Sequence, residues 1–262
     1  MNKNQPSELD FFWAALMFYT RIPVPKNAIH TQHALNKSRK YFPLIGLIIG
    51  LIGGGTFVIA NTVFSTQLSL VLSIICTVLA TGAFHEDGFA DSCDAFGGGW
   101  SPIQVLTIMK DSRLGSYATL GLLLLITTKL LALIDIVTAT STIQLLAIYA
   151  SGHTLSRAVS STMIDFFDYV QDIDKSKVKP ITESKLAPFD ILISVLITAF
   201  PLAVLACLIP VITLLASLLC IATGLAFMGY SRHRIGGYTG DVLGATQQLA
   251  EVAFYLGFAA CL

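Results

Sequence analysis

Charge is what this sequence has least of. Only 12% of its 262 residues are Asp, Glu, Lys or Arg, against about 25% in an ordinary soluble domain. So little charge cannot cover a globule in water. A hydrophobic content of 54% and a mean hydropathy of +0.73 make lipid part of the solvent. The formal net charge is zero, which removes the basic surface that nucleic-acid binding requires. No CxxC pair occurs among the five cysteines, and Cys76, Cys207, Cys220 and Cys261 lie in apolar runs, so neither a disulfide frame nor a zinc site is expected. Gly97-Gly98-Gly99 has no Lys-Ser/Thr after it, which excludes a phosphate-binding P-loop. The N-terminus lacks the charged start and cleavage site of a signal peptide.

What the chain does have is long apolar runs. Seven segments, at about 41–63, 67–84, 115–138, 141–163, 189–209, 211–229 and 242–262, are long enough, or nearly so, to cross a hydrocarbon core of about 30 Å as helices. Helices are required because a lipid-facing backbone must satisfy its own hydrogen bonds. The run Phe11 to Tyr19 is too short for a full span and reads as a short re-entrant or tilted helix ending at Arg21-Ile22-Pro23-Val24-Pro25. The links at 64–66, 139–140 and 210 are short and uncharged, whereas those at 21–40, 85–114, 164–188 and 230–241 hold thirteen of the sixteen Lys and Arg. The latter four fall on one side of a seven-span bundle, and the positive-inside bias makes that side cytoplasmic. The expected fold is therefore an all-α polytopic integral membrane protein in a cytoplasmic (inner) membrane. It has about seven transmembrane helices and a short N-terminal helix, in one domain over residues 1–262. Gly46, Gly50 and Gly54, at i, i+4 and i+8, predict close packing of the first full span on a neighbouring helix.

Acids concentrate in Phe84-His85-Glu86-Asp87-Gly88-Phe89-Ala90-Asp91-Ser92-Cys93-Asp94, which holds four of the sixteen. On a helix Asp87, Asp91 and Asp94 share an arc of about 60°. Three carboxylates on one face repel one another unless a cation intervenes, and oxygen ligands of this kind suit Mg²⁺, or Mn²⁺ in its place, often bound together with substrate phosphates. A solvated acidic face is the plain alternative, disfavoured beside a bilayer. His85 lies nearly opposite the acids on a continuous helix; it becomes a candidate base only if the backbone breaks at Gly88.

Two further clusters are polar. Lys110-Asp111-Ser112-Arg113-Leu114-Gly115 stands at the mouth of a span, where Arg113 is either a phosphate clamp or a cytoplasmic anchor. Asp111 either joins the metal site or pairs with Arg113. Asp241, Gly244, Gln248 and Glu251 fall within an arc of about 80° on the last span. His153, Ser156, Arg157 and Ser160 make a similar stripe at 141–163, and Lys129 lies within 115–138. Intramembrane polar groups of both signs on three spans predict a shared internal cavity.

These residues resemble the cobalamin synthase (adenosylcobinamide-GDP ribazoletransferase) family. The resemblance rests on His85-x-Asp87-Gly88-x-Ala90-Asp91-x-x-Asp94, Lys110-Asp111-Ser112-Arg113-x-Gly115-x-Tyr117 and Gly236-Gly237-x-Thr239-Gly240-Asp241-x-Leu243-Gly244-Ala245. Phe18-Tyr19-Thr20-Arg21-Ile22-Pro23-Val24-Pro25 and Phe42-Pro43-Leu44-Ile45-Gly46 also match, so the likeness runs from residue 18 to about 251. Phe89, Phe96 and Ser116 depart from the pattern without altering its polar residues. The resemblance implies transfer from adenosylcobinamide-GDP to α-ribazole, or its 5′-phosphate, with release of GMP and a need for Mg²⁺. It implies metal-holding by Asp87, Asp91 and Asp94, with Asp241 as a further member. Charge stabilisation falls to Arg113, joined by Lys129 or Arg157 if the cavity is shared, and proton removal to His85 or Asp111. Gly237, Thr239, Gly240, His153 and Glu251 are expected with the substrate. A CDP-alcohol phosphotransferase fits less well, because Asp91 replaces that family's Arg and the downstream acids are missing. An ion-coupled transporter would need charge on the far-side links, which have none.

Overall fold

The computed structural model describes residues 6–26, 28, 31–170 and 185–262. Lys175, Lys177 and Lys179, counted above among the cations of the 164–188 link, lie outside the described residues. Among those described the chain is helical, apart from one isolated parallel bridge between Tyr169 and Tyr238. In order come α1 (Glu8–Tyr19), α2 (Gln32–Ser38), a 3₁₀ turn (Arg39–Tyr41), α3 (Phe42–Ala60), α4 (Thr66–Thr81), α5 (Phe84–Gly98) and α6 (Pro102–Met109). Then follow α7 (Ser116–Ala139), α8 (Thr142–Phe166), α9 (Pro188–Leu208), α10 (Pro210–Ile235) and α11 (Gly240–Ala259).

Residues 32–60, α7, α9 and α10 are each long and apolar enough to cross a membrane. A fifth such segment is the pair α4 and α5, bent by 91°. The sequence reading expected seven, and the two it adds are α8 and α11. At 25 and 20 residues these are long enough, but buried polar side chains dilute their apolar character. Both are covered over most of their surface by other helices, whereas α7, α9 and α10 turn Leu123, Leu124, Leu196, Phe200, Leu214 and Leu218 outward. Such an apolar exterior is what hydrocarbon, rather than water, accommodates.

Three boundaries differ from expectation. The 67–84 run stops at Thr81, because Gly82 (φ 68°) and Ala83 (φ 58°) both adopt the left-handed conformation and turn the chain into α5. The 85–114 link is two helices rather than a loop. The α10 helix continues past 229 to Ile235, ending in Arg232, His233 and Arg234; the two arginines are cations that suit a helix C-terminus. α1 begins with a capping box, in which the Ser7 hydroxyl accepts from the Asp10 N–H and the Asp10 carboxylate accepts from the Ser7 N–H. Its 12 residues reach only about 18 Å, short of a span.

The glycine stripe on α3 packs as its spacing predicted, against α8. A Cβ on Gly50 would stand 2.6 Å from the Tyr149 carbonyl oxygen, and one on Gly54 2.7 Å from Leu146 Cδ2. Backbone atoms cannot yield as a side chain can. Gly50→Ala is therefore expected to destabilise the protein by about 1–3 kcal/mol, measured as thermal unfolding in detergent. Gly55→Ala, with no neighbour within 4 Å, should be neutral or mildly stabilising. Behind this pair α11 is the central helix, packed against α5, α7, α8 and α10.

Candidate active site

The acid-rich segment forms one continuous helix, α5, through Gly88. A Cβ on Gly88 would stand 2.9 Å from the Asp241 carbonyl oxygen, and one on Gly244 3.1 Å from the His85 carbonyl oxygen. These two glycines let α5 cross the start of α11 backbone against backbone. The crossing sets Asp241, in the first turn of α11, beside the α5 acids. The charges of Asp87 and Asp94 act on Asp91, and those of Asp91 and Asp87 act on Asp241. Asp87 is exposed, while Asp91 and Asp241 are half-buried. Among the described residues no Lys, Arg or His pairs with any of these three.

The fourth acid is engaged differently. Asp94 accepts hydrogen bonds from the N–H groups of Gly115 (2.6 Å) and Ala118 (3.0 Å), filling the orphan donors at the start of α7. Gly115 leaves room for this, since a Cβ there would collide with the Asp94 carboxylate. Asp94, expected as a metal ligand, is first a helix cap here. Among the described residues no three His, Cys, Asp or Glu side chains converge closely enough to enclose a metal ion. Mg²⁺ does not require a protein cage, because it commonly uses one or two carboxylates together with waters and substrate phosphates. Asp91 with Asp241 and Asp87 offers such oxygens with no competing cation, so the donor set fits.

Beside Asp94 opens a cleft lined in part by Asp111, Arg113, Gly115 and Tyr117. The Arg113 guanidinium reaches Asp111 through Nε at 3.0 Å and Nη2 at 2.5 Å. That cation holds the Asp111 carboxyl below the usual carboxylate range. Arg113 has 87% of its side chain exposed.

His85 is placed otherwise than a base requires. Because α5 does not break, His85 turns away from the acid face, stacks on Phe42 (ring centroids 5.6 Å apart, 14°) and is 2% exposed. Neither ring nitrogen has a hydrogen-bond partner. Of Gly237, Thr239 and Gly240, expected at the substrate, the first two make structural contacts. The Thr239 hydroxyl accepts from the Val242 N–H to cap α11. Gly237 lies against the Asp168 carbonyl, where the chain pairs Tyr238 with residues 168–170. Gly240 lines a narrow pocket with His85 and Phe42.

Lys129, His153, Arg157 and Glu251 do come together, as a packed cluster rather than the shared cavity expected. Glu251 carboxylate oxygens lie 2.9 Å from Lys129 Nζ, 3.0 Å from His153 Nδ1 and 3.8 Å from an Arg157 nitrogen. Gln247 Nε2 donates to Glu251 (2.7 Å) and Ser156 (3.0 Å), and all four charged or ring groups are buried. A substrate cannot reach them in this conformation, so their assignment to substrate binding is revised.

Sequence reasoning missed a second buried ion network. Lys40 Nζ lies 2.9 Å from Asp190 and 2.7 Å from Glu8, and Arg39 lies 2.6 Å from Asp165. In the sequence both cations count only toward the positive charge of the 21–40 link. Their flanking positions, Ser38 and Phe42, are buried too, but nothing local to the 37–40 run names the acids, which lie 32 residues away for Glu8 and more than a hundred for Asp165 and Asp190.

Fold and site together define a polytopic α-helical membrane enzyme with unpaired carboxylates on the helix that borders a cleft holding Asp111 and Arg113. The chain belongs to the cobalamin-5-phosphate synthase family, whose model matches residues 11–259. An adenosylcobinamide-GDP ribazoletransferase of Shewanella frigidimarina is 43% identical over 253 residues, covering 95% of this chain and 94% of its own. One from Vibrio cholerae is 38% identical over 262 residues, with 95% and 93% covered. No solved structure matches the chain.

Proposed function

We infer that this chain joins adenosylcobinamide-GDP to α-ribazole, or to α-ribazole 5′-phosphate, giving adenosylcobalamin or its 5′-phosphate and GMP. The observation that carries this beyond the family likeness is the group of unpaired carboxylates Asp87, Asp91 and Asp241 gathered at α5, the helix whose Asp94 lines the Arg113 cleft. In the reaction the ribazole 3′-hydroxyl oxygen bonds to the cobinamide-side phosphorus. The P–O bond to GMP breaks, GMP keeps the bridging oxygen, and the hydroxyl proton passes to a base.

Asp91, Asp241 and Asp87 would hold Mg²⁺, or Mn²⁺; the ion supplies neutralisation of the diphosphate and of the charge that develops on leaving GMP. Arg113 releases Asp111 when it turns onto a phosphate oxygen, which a guanidinium binds bidentately. Asp111, freed of its cation, accepts the ribazole proton. Arg113→Ala is expected to lower kcat about 10²–10³-fold, and Asp111→Asn to remove the acidic limb of the rate–pH profile, because the carboxylate is the form that accepts the proton. The concentration of Lys and Arg in the four long links supports seven crossings, with the site on the cytoplasmic face of the inner membrane. The outward apolar band on α7, α9 and α10 meets the lipid.

The test is release of GMP from adenosylcobinamide-GDP by purified protein in lipid vesicles. Release that depends on added α-ribazole is the expected result. Release of GMP at the same rate without ribazole, or none at all, overturns the assignment.

A further inference from the structure

α5 starts on the left-handed pair Gly82 and Ala83 and has no side-chain N-cap. Beyond the backbone crossing at Gly88 and Gly244, side-chain ties bear on its rotation, because each residue advances a helix by about 100°, enough to carry an acid off its face. Two acids within the segment act as ties. Asp94 is held by the start of α7. Glu86 is held by α11, where Gln248 Nε2 donates to Glu86 Oε1 at 3.0 Å.

Gln248 is 2% exposed and uses both ends of its amide. Its Oε1 accepts from Lys129 Nζ at 3.0 Å, and its Nε2 also reaches Gln247 Oε1 at 3.0 Å. Lys129 and Gln247 each bind Glu251 in turn. Through one amide, Glu86 is thus fastened to a cluster rooted in α7, α8 and α11. Charge agrees with this arrangement. Lys129 and Arg157 bring two positive charges and Glu251 one negative; Glu86, whose field acts on Arg157, supplies the second.

We propose that Gln248 is a positioning residue: by holding Glu86 it sets the rotation of α5 that presents Asp87 and Asp91 to Asp241. This rests on the reading of those three acids as the metal-holding face. Gln248 is hydrogen-bonded to none of them, so it acts through the helix. Groups that orient metal ligands without touching the ion change metal affinity about 10–100-fold when lost.

The experiment is Mn²⁺ titration of the detergent-purified full chain, followed by electron paramagnetic resonance without substrate. Gln248→Ala and Glu86→Ala are each expected to weaken Mn²⁺ binding about tenfold. The double variant should be no weaker than either, because both remove one joint. KM for adenosylcobinamide-GDP, measured at saturating metal, should stay unchanged. Glu86→Gln keeps an oxygen for Gln248 to donate to and should bind Mn²⁺ within about threefold of wild type, since one neutral hydrogen bond replaces a charge-assisted one. That variant also decides the matter if Gln248→Ala fails to fold. Wild-type affinity in Glu86→Ala, a product of the two single effects in the double variant, or equal loss in Glu86→Gln and Glu86→Ala overturns the proposal; the last result makes Glu86 a ligand. A wild-type chain that binds no Mn²⁺ removes the metal reading itself, and this inference with it.

Discussion

Asp91→Ala is expected to reduce GMP release about 10³-fold while leaving the protein folded. Asp91 occupies the middle of the α5 acid face: Asp87 and Asp94 act on it, and it acts on Asp241. A cation held by these acids would therefore lose one of its oxygen donors. The magnitude follows the loss of one preorganised electrostatic contact at a transferring phosphate, about 10²–10³-fold, taken at its upper end because this donor also places the ion. Stability should move the other way. Without metal, the like charges of Asp87, Asp91 and Asp241 repel with no cation nearby, so removing one relieves strain that function requires. In EDTA the variant's thermal midpoint is expected at or above that of wild type. A variant less stable than wild type in EDTA would instead make Asp91 a structural residue.

Glu251→Ala is expected to have the largest effect on folding. Its carboxylate lies among Lys129, His153 and Arg157, all buried. Removing one partner of a buried ion cluster strands charge that cannot reach water, at a cost of about 3–5 kcal/mol, comparable to a large share of the stability of a typical domain, about 5–15 kcal/mol. The expected result is loss of the cooperative thermal transition, or failure to accumulate in the membrane. Glu251→Gln keeps the shape and accepts from Lys129, and should retain a folded protein with a lowered midpoint. If these four residues contacted substrate, Glu251→Gln would instead raise KM with the midpoint unchanged. That contrast separates the cluster observed from the cavity expected.

What the sequence made legible was local. Long apolar runs, the i, i+4, i+8 glycines of α3 and the three aspartates of α5 each announce themselves within a turn or two of helix, because their periods are those of the helix itself. The same reasoning placed Lys129, His153, Arg157 and Glu251 together, since intramembrane charges must find one another. It could not decide between a cavity and a packed cluster, which depends on whether Gln247, Gln248 and Ser156 fill the space between them. The helix α6 was signalled by Ser101-Pro102-x-Gln104, a capping box with Pro at the first helical position; the polar flanks hid it. The right-angled turn at Gly82 and Ala83 had no such signal, for alanine rarely takes a left-handed conformation. Asp94 as the cap of α7, and Gln248 as the tie to Glu86, join residues 21 to 162 positions apart. No local pattern carries such contacts.

The central claim is that Asp87, Asp91 and Asp241 hold a divalent ion against a substrate diphosphate. It is tested most directly by electron–nuclear double resonance on Mn²⁺ bound to the purified protein with a non-hydrolysable analogue of adenosylcobinamide-GDP. The account predicts ³¹P hyperfine coupling to the protein-bound ion in wild type and its disappearance in Asp91→Ala. Coupling of equal strength in both proteins, or bound Mn²⁺ with no phosphorus near it, would contradict it.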